Sequence, residues 1–284
     1  MADRKKNERT VMVTPPSNIL IPQRDVGELP ALECVHLGIS FGGLKAVEDF
    51  NLTVGKTEIA GLIGPNGAGK TTVFNLITRV YQPTTGMILL GGKDIGRLDT
   101  AGVNRAGIGR TFQNIRLFDN LTVEENVKLG LHNSIRYSAL AGVLRLPSYW
   151  REEKKAHEEA LELLKVFDME RMADLRAGGL PYGAQRRLEI VRALATHPSL
   201  LLLDEPAAGM NPSETAELMD NIRMIRDDFK IAVLLIEHDM NLVMGICEGI
   251  AVMNFGKIIA KGTPEQIQNN PEVIEAYLGR REEA

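Results

Sequence analysis

The chain has 284 residues, 44% of them hydrophobic and 25% charged, which is typical of a globular protein with one large domain or two small ones. The formal net charge of −4 gives no overall basic field, which argues against binding to nucleic acid through bulk charge. The apolar runs are far shorter than the ~20 residues that a membrane-spanning helix requires, so we predict that other chains supply any membrane spans.

The cysteines and the N-terminus bear on the cellular compartment. Cys34 and Cys247 lie far apart in sequence and lack the spacing of a metal site, so we expect two small buried side chains and a reducing compartment. The first residues are charged but lack the apolar block of a signal peptide. We therefore expect the protein to stay in the compartment where it is made.

Residues 1–31 are polar, contain four prolines and show no sustained periodicity, which predicts a flexible N-terminal tail. An arm that docks on a partner protein is the alternative interpretation of the same segment. Residues 280–284 are predicted to form a short C-terminal tail. The folded domain is thus expected to cover residues 32–279.

The first half of this domain alternates strands with a helix. Apolar and polar residues alternate at 32–41 and 50–54, which predicts two strands. The apolar run at 58–63 predicts a buried strand. A helix is predicted at 70–80, followed by a short strand at 87–90.

The middle of the chain, residues 114–179, lacks strong strand signals and is predicted to be a helical insert. A helix is predicted at 122–132, where Thr122 and Glu125 have the spacing of a capping box. A longer amphipathic helix is predicted at 150–167.

Strands and helices alternate again after the insert, which predicts a mainly parallel sheet. We expect Asn211 to cap a helix that has Pro212 in its first turn. The other predicted elements are a helix at 182–195, buried strands at 200–203 and 231–236, a helix from Asp239, a hairpin formed by 250–254 and 257–260, and two short helices that begin at 263 and 270.

Residues 64–72 (Gly-Pro-Asn-Gly-Ala-Gly-Lys-Thr-Thr), here called the phosphate loop, lie between a predicted strand and a predicted helix, the context that this pattern requires. The glycines let backbone N–H groups surround phosphate oxygens, and the helix adds its positive N-terminal end. Lys70 would place a charge on the terminal phosphates, and Thr71 would offer a hydroxyl to Mg²⁺. A glycine-rich turn with an exposed lysine is the alternative, but it does not explain why pattern and context agree.

An apolar strand followed by two carboxylates occurs at residues 201–206 (Leu-Leu-Leu-Asp-Glu-Pro). Asp204 at the strand tip suits the Mg²⁺ shell of a phosphate-loop enzyme, and Glu205 suits a base or an orienting group for the attacking water. A strand that ends in a solvated acidic turn is the alternative. The phosphate loop in the same chain favours the catalytic interpretation.

Position alone leaves two further candidates open. His238 follows the apolar strand at 231–236, where it could donate to a γ-phosphate or could equally be a structural histidine. Gln113 lies where the sequence changes from mixed α/β to helical. Its amide could orient a water or bind Mg²⁺, or it could be an ordinary surface glutamine.

In their order along the chain, these segments resemble the ATP-binding subunits of ABC transporters, from residue 32 to residue 279. The resemblance implies an α/β fold of the P-loop NTPase class, with a mainly parallel sheet, an antiparallel β subdomain and a helical subdomain inserted at about residues 114–179. It also implies ATP hydrolysis, with ATP and Mg²⁺ as cofactors.

The resemblance further implies residue roles. In this family an aromatic residue before the phosphate loop stacks on adenine, which matches Phe41. Gln113 matches the glutamine that links the nucleotide to the membrane subunits, Glu205 the catalytic glutamate and His238 the switch histidine. The implied nucleotide-binding residues are Phe41, Gly64, Pro65, Asn66, Gly67, Ala68, Gly69, Lys70, Thr71, Thr72, Tyr182 and Gly183, and the implied metal residues are Thr71, Gln113 and Asp204.

The family also has a signature, Leu-Ser-Gly-Gly-Gln, that binds the ATP held by the opposite subunit, and this chain departs from it. Pro181 replaces the serine and Tyr182 the first glycine, and proline offers neither an N–H nor a hydroxyl. Gly183 and the helix N-terminus after it remain and could face a γ-phosphate. Asn211 likewise stands where the family usually has aspartate.

These departures, together with residues 262–279, resemble one branch of the family, the bacterial branched-chain amino-acid importer ATPases with a Tyr-Gly signature. That resemblance implies a second, different ATPase subunit, two transmembrane permease subunits and, indirectly, a periplasmic solute-binding protein as partners, with no nucleic acid. It implies a peripheral position on the cytoplasmic face of the inner membrane. It also implies a heterodimer whose two ATP sites differ.

Three alternatives stay open at this point. An ABC ATPase of repair or translation usually carries two ATP modules or long coiled inserts, whereas this chain has one module. A regulatory subunit that does not hydrolyse ATP would account for the altered signature, but Glu205 and His238 argue against it. An importer of urea, other amides or other amino acids would look alike, because cargo does not touch this subunit.

Overall fold

The computed structural model describes residues 29–134 and 144–278. Most of the N-terminal tail predicted at 1–31, and the C-terminal tail predicted at 280–284, lie outside these ranges. The chain divides into two compact units: Met1–Val103 with Cys247–Ala284 form the first, and Asn104–Ile246 the second. No helix among the described residues is both long and apolar enough to span a bilayer.

Ten strands and nine α-helices are described, with short 3₁₀ turns at Leu131–Ser134, Glu170–Met172 and Ala177–Gly179. In chain order they are β1 (Leu32–Phe41), β2 (Leu44–Val54), β3 (Ile59–Ile63), α1 (Lys70–Ile77), β4 (Thr85–Leu90), β5 (Lys93–Asp94), α2 (Thr100–Ala106), β6 (Ile108–Arg110), α3 (Val123–Gly130), α4 (Pro147–Val166), α5 (Tyr182–Leu194), β7 (Leu200–Asp204), α6 (Pro212–Phe229), β8 (Ala232–Ile236), α7 (Met240–Ile246), β9 (Gly249–Asn254), β10 (Lys257–Gly262), α8 (Pro264–Gln268) and α9 (Pro271–Leu278).

The first unit contains an antiparallel sheet in the order β2-β1-β4-β5. Leu32 of β1 pairs with Val54 on one side and with Leu90 on the other. In the same unit β3 pairs in parallel with β9, which pairs antiparallel with β10. All five residues of β3 are buried, as a short apolar run enclosed on both faces predicts. The phosphate loop therefore follows a strand with little freedom to shift.

The second unit contains three parallel strands, β6, β7 and β8. Leu200 of β7 pairs with Ile108 on one side and Ala232 on the other. All residues of β7 and β8 are buried, which confirms the interpretation of the two apolar runs. Parallel strands bring their carboxyl ends to one edge, so Asp204 and the residues after Ile236 leave the sheet on the same side.

Two predicted helix caps are confirmed. Thr122 Oγ1 accepts from the Glu125 N–H at 3.1 Å, and Glu125 Oε2 accepts from the Thr122 N–H at 2.8 Å. Asn211 Oδ1 accepts from the N–H groups of Ser213 and Glu214 at 2.9 and 3.0 Å. Both helices begin where their side-chain chemistry predicts, because these contacts satisfy amides that lack partners within the helix.

The helix predicted at 70–80 is shorter than expected and ends at Ile77. Arg79 has a left-handed backbone with φ of 59°, which an α-helix cannot contain. Its guanidinium donates to the Gly96 carbonyl oxygen at 2.6 Å, a tertiary contact that compensates for the strained backbone. The sequence analysis also did not predict α2, and it missed the three-residue strand β6.

Neither cysteine forms a disulfide, and both are buried, as predicted. Burial, together with the neighbouring Glu33 carboxylate, raises the pKa of the Cys34 thiol to about 12. The thiolate is the reactive form, so Cys34 is an unreactive packing residue near neutral pH.

A half-buried lysine makes the first unit sensitive to alkaline pH. Burial lowers the pKa of Lys261 on β10 from 10.5 to about 8, although the Asp49 charge opposes the shift. Below pH 8 the Lys261 ammonium is charged in a poorly solvated place, which lowers the free energy of unfolding. This loss of stability disappears as pH rises to about 10.5, where lysine in the unfolded state also loses its proton. We expect Lys261→Met to raise Tm by about 2–4 °C at pH 7, which corresponds to about 1 kcal/mol after allowing for partial exposure.

The measurement is thermal unfolding of wild type and Lys261→Met between pH 7 and 10.5. The increase in Tm of Lys261→Met over wild type should shrink above pH 8 and vanish near pH 10.5. Lys257→Met is the matched control, because the Lys257 ammonium is exposed and forms a surface ion pair with Glu48 at 3.3 Å. A gain from Lys261→Met that does not change with pH would contradict the assignment to this titration.

Candidate functional site

The phosphate loop connects β3 to α1 through glycine-specific backbone. Gly64 has φ of 150°, and a Cβ there would overlap the carbonyl oxygen of Met253. Gly69 has φ of 103° and is the N-cap of α1, with no side chain to bond the first amides of the helix. Those N–H groups have no partner within the helix, so the N-terminus of α1 can take an anion.

Lys70 lies back across the phosphate loop. Its ammonium is buried and donates to the carbonyl oxygens of Gly64 at 2.7 Å and Pro65 at 3.0 Å. The loop thus holds a cation beside the helix N-terminus. Both features favour a bound polyphosphate, because each places positive charge near the same backbone.

A cavity of about 580 Å³ lies beside the phosphate loop within the first unit. This volume is in the range of small-molecule sites. It is lined on one side by the loop residues Pro65, Asn66, Gly67 and Ala68, and on the other by Asn254, Phe255, Ile259, Glu272, Glu275 and Ala276. Four of the predicted nucleotide-binding residues therefore line one cavity.

Phe41 lies at the end of β1 and is 44% exposed. Its ring packs edge-on against Tyr81, with centroids 5.2 Å apart and an interplanar angle of 72°. The contact orients the ring and leaves much of it open, so Phe41 is free to stack on an aromatic base.

In the second unit, the three residues predicted to be catalytic lie together, because Glu205 bonds to both Gln113 and His238. Its Oε2 accepts from Gln113 Nε2 at 2.6 Å, and its Oε1 lies 2.8 Å from His238 Nε2. A ring with Nε2 protonated donates to this carboxylate. Glu205 also has a left-handed backbone, with φ of 49°, which is uncommon for a non-glycine residue. Such strain is found where the surrounding structure fixes a functional residue.

Asp204 takes part in a different contact. Its Oδ2 accepts from Arg110 Nη2 at 2.9 Å, and both side chains are almost fully buried. The ion pair fixes the orientation of the carboxylate, and Oδ1 remains available as a metal ligand. The Gln113 amide similarly donates through Nε2 and keeps Oε1 as an acceptor. Carboxylate and amide oxygens are ligands that Mg²⁺ prefers, so Asp204 and Gln113 fit that ion.

The sequence analysis missed Glu237, which holds the backbone around the catalytic residues. The side chain is buried, with 3% exposed. Its Oε1 accepts from the Ala207 N–H at 2.7 Å, and its Oε2 accepts from the His238 N–H at 2.8 Å. One carboxylate therefore fixes both the segment after Glu205 and the start of the segment that carries His238.

A buried ion pair on α5 was also missed. Arg186 is fully buried, and its Nη1 bonds to Glu189 Oε2 at 2.9 Å. Arg186 also donates to the carbonyl oxygen of Gln113 at 2.7 Å, to the carbonyl oxygen of Phe112 at 2.6 Å and to the Tyr182 hydroxyl at 3.1 Å. Burial raises the pKa of Glu189, and the Arg186 charge opposes that shift. Two charged residues one turn apart on a helix are usually exposed. No local signal in the sequence therefore indicated that Arg186 and Glu189 are buried.

The two residues at the altered signature lie at the start of α5. Tyr182 is 44% exposed, and its hydroxyl donates to the Ala208 carbonyl oxygen at 2.8 Å. A Cβ on Gly183 would lie 3.0 Å from Glu214 Oε1, so this position has little room for a side chain. The signature role predicted for both residues, and the roles predicted for Thr71 and Thr72, stay predictions.

Comparison with known families identifies the chain. Residues 47–208 match the family model described as ABC transporter. Residues 257–283 match a second model, described as branched-chain amino acid ATP-binding cassette transporter. The first match covers the phosphate loop, Gln113, the signature and Glu205, and the second covers the C-terminal helices.

Relatives and solved structures agree with these matches. The chain is 49% identical to the high-affinity branched-chain amino acid transport ATP-binding protein BraF of Pseudomonas aeruginosa, over 88% of this chain and 98% of that protein. It is 48% identical to the corresponding protein LivG of Escherichia coli K12, with the same coverage. It is 36% identical to the lipopolysaccharide export system ATP-binding protein LptB of Haemophilus influenzae, again over 88% and 98%.

Among solved structures, a nucleotide-free ATP-binding cassette from an ABC transporter matches with a TM-score of 0.77 and 31% identity, over 89% of this chain and all of that one. The ADP conformation of an ATP-binding cassette matches with the same TM-score and 30% identity. These structures confirm the fold class predicted from the sequence. The chain belongs to the ABC transporter ATP-binding family and is a nucleotide-binding ATPase cassette of that family.

Proposed function

We propose that this chain is the ATP-hydrolysing subunit of a bacterial importer of branched-chain amino acids. The observation that carries the proposal is its identity of nearly one half to two branched-chain amino acid transport ATP-binding proteins, over 98% of their length. The match at residues 257–283 supports the same branch, because that region lies outside the general cassette match.

Hydrolysis is proposed to depend on Glu205. A carboxylate that accepts from both Gln113 and His238 is oriented by two independent elements, so it can direct an attacking water with little reorganisation. Gln113 and His238 each use one lone pair of the Glu205 carboxylate. Further lone pairs remain for the attacking water, so Glu205 can bind that water while both partners hold the carboxylate in place.

Mg²⁺ is proposed to bind Asp204 Oδ1 and Gln113 Oε1, the two oxygens that the present contacts leave available. When bound, the ion would neutralise charge on the terminal phosphates. The Arg110 guanidinium fixes the orientation of the Asp204 carboxylate through Oδ2.

A groove in the second unit is proposed to receive a permease subunit. It encloses about 340 Å³, and Phe118 on its rim is 56% exposed. Arg116 and Glu189 line it, and the Arg116 N–H donates to Glu189 Oε1 at 3.3 Å, directly after the Gln113 segment. An apolar ring beside arginines suits a short amphipathic helix from a membrane protein. We therefore propose a peripheral position for this chain on the cytoplasmic face of the membrane.

The second ATPase subunit is proposed to be a different chain. Tyr182 and Pro181 replace two residues of the usual signature, so the ATP site that uses this surface would differ from the site built on this chain's phosphate loop. Solute reaches the complex through a periplasmic binding protein, which this chain does not contact.

The experiment is a solute-stimulated ATPase assay. The chain is co-purified with its membrane partners, reconstituted in liposomes and supplied with the binding protein loaded with leucine, isoleucine, valine, another amino acid, urea or an amide. We expect the three branched-chain amino acids to raise ATP hydrolysis and the other solutes to leave it unchanged. Stimulation by urea or an amide alone would overturn the cargo assignment and leave the ATPase assignment intact.

A further inference from the structure

Tyr182 is bonded inside its own chain although it lies at the signature position. Its hydroxyl donates to the Ala208 carbonyl oxygen at 2.8 Å and accepts from Arg186 Nη2 at 3.1 Å. The Arg186 guanidinium also lies 5.8 Å from the centre of the Tyr182 ring. The hydroxyl therefore makes two hydrogen bonds, one as a donor to the turn after Glu205 and one as an acceptor from α5.

The first connection leads to Gln113. The Nη2 group of Arg186 that donates to Tyr182 also donates to the Gln113 carbonyl oxygen at 2.7 Å. Arg186 is fully buried and cannot exchange these partners for water. A guanidinium is planar, and its N–H groups point in fixed directions. A shift of the Tyr182 hydroxyl would therefore turn the Arg186 guanidinium and move the Gln113 carbonyl oxygen that is bonded to it.

The second connection leads to the turn after Glu205. Ala208 accepts from the Tyr182 hydroxyl, and its N–H donates to the Glu205 carbonyl oxygen at 3.2 Å. Glu237 holds the neighbouring residue Ala207. Gln113, at the end of the first connection, donates to the Glu205 side chain at 2.6 Å. Both connections from one hydroxyl thus end on Glu205, one at its side chain and one at its backbone.

We propose that Tyr182 is a positioning residue for hydrolysis in its own chain. Its hydroxyl sets the placement of Gln113 through Arg186 and the placement of the Glu205 turn through Ala208. ATP that is held by a partner subunit and contacts the start of α5 would then change the geometry at Glu205 of this chain. The inference rests on the proposed role of Glu205 and adds a residue that acts without touching the reacting atoms.

The test is the KM and kcat for ATP of the reconstituted complex with Tyr182→Phe. Phenylalanine keeps the ring and removes only the hydroxyl, so the fold and the phosphate loop are unaffected. The loss of one bond to a charged donor and one to a carbonyl predicts a fall in kcat of roughly tenfold at this chain's site, with KM within about twofold of wild type. An unchanged kcat would overturn the proposal.

A double-mutant cycle distinguishes an effect of Tyr182 that passes through Gln113 from a general loss of structure. In a Gln113→Ala background the connection through Arg186 no longer reaches Glu205, so Tyr182→Phe should reduce kcat by at most about threefold further. A full tenfold reduction in that background would mean that Tyr182 acts independently of Gln113, and would overturn the proposed route. Tyr149→Phe, which removes a hydroxyl from α4 outside this cluster, is the control and should leave kcat unchanged.

The same assays distinguish this inference from the proposed function. If Glu205→Gln leaves hydrolysis intact, the catalytic assignment of Glu205 is wrong. If Glu205→Gln abolishes hydrolysis at this site and Tyr182→Phe has no effect, only the positioning role is wrong. The identity of the transported solute affects neither result, because both are read from ATP turnover.

Discussion

Replacing Glu205 by glutamine is expected to reduce ATP hydrolysis at this chain's site by roughly 100- to 1,000-fold while ATP still binds. The amide keeps the size of the side chain and can still contact Gln113 and His238, the two partners seen on the carboxylate. It cannot take up or hold the proton of an attacking water as a carboxylate does. The substituted residue lies in the second unit and the phosphate loop in the first, so we expect the loop to keep its ATP.

The measurement combines phosphate release with trapping of nucleotide in the reconstituted complex. Intact ATP should remain bound to the Glu205→Gln complex after rapid gel filtration, whereas the wild-type complex should retain ADP or nothing. Glu217→Gln is the matched control, because this exposed carboxylate on α6 pairs only with the surface side chain Arg187 in the contacts described. Wild-type phosphate release from Glu205→Gln would remove Glu205 from the catalytic role.

Replacing Arg186 by methionine is expected to destabilise the protein by about 3–5 kcal/mol, the usual cost of breaking a buried ion pair. The substitution leaves the Glu189 carboxylate buried without its cation, and it removes the donors to the carbonyl oxygens of Phe112 and Gln113. For a protein of this size such a loss corresponds to a fall in Tm of about 10 °C.

Thermal unfolding of Arg186→Met beside Arg187→Met checks this result. The two arginines are neighbours, but Arg187 is partly exposed and pairs with Glu217 at 2.6 Å on the surface, where an ion pair is worth about 0–1 kcal/mol. Removing both charges with Arg186→Met/Glu189→Met should cost less than the sum of the two single substitutions. Equal Tm values for Arg186→Met and Arg187→Met would contradict the structural role.

Segments with local signals could be predicted from the sequence. The phosphate loop requires glycines at fixed positions, and the strands β7 and β8 are continuous apolar runs, so both were found with nearly correct bounds. The caps at Thr122 and Asn211 depend on side chains three residues apart, and they too were correct. In each case the interaction that fixes the structure lies within a few residues of sequence.

Features that depend on distant partners could not be predicted. Arg186 and Glu189 bind backbone more than 70 residues away, and Glu237 binds Ala207 across 30 residues. On a helix, an arginine and a glutamate one turn apart look like a solvated pair. The early end of α1 likewise depends on the contact between Arg79 and Gly96. Arg186, Glu189 and Glu237 bind the backbone beside the residues predicted to be catalytic. The sequence therefore indicated the reacting groups more completely than the residues that position them.

The central claim is that ATP hydrolysis at Glu205 powers the import of branched-chain amino acids. The most direct measurement is uptake of radiolabelled leucine by cells that lack this gene and carry either the wild-type chain or Glu205→Gln at equal abundance. We expect the wild-type chain to restore uptake and Glu205→Gln to leave it at the level of the deletion. Equal leucine uptake with both chains, or uptake that the deletion does not lower, would contradict the account.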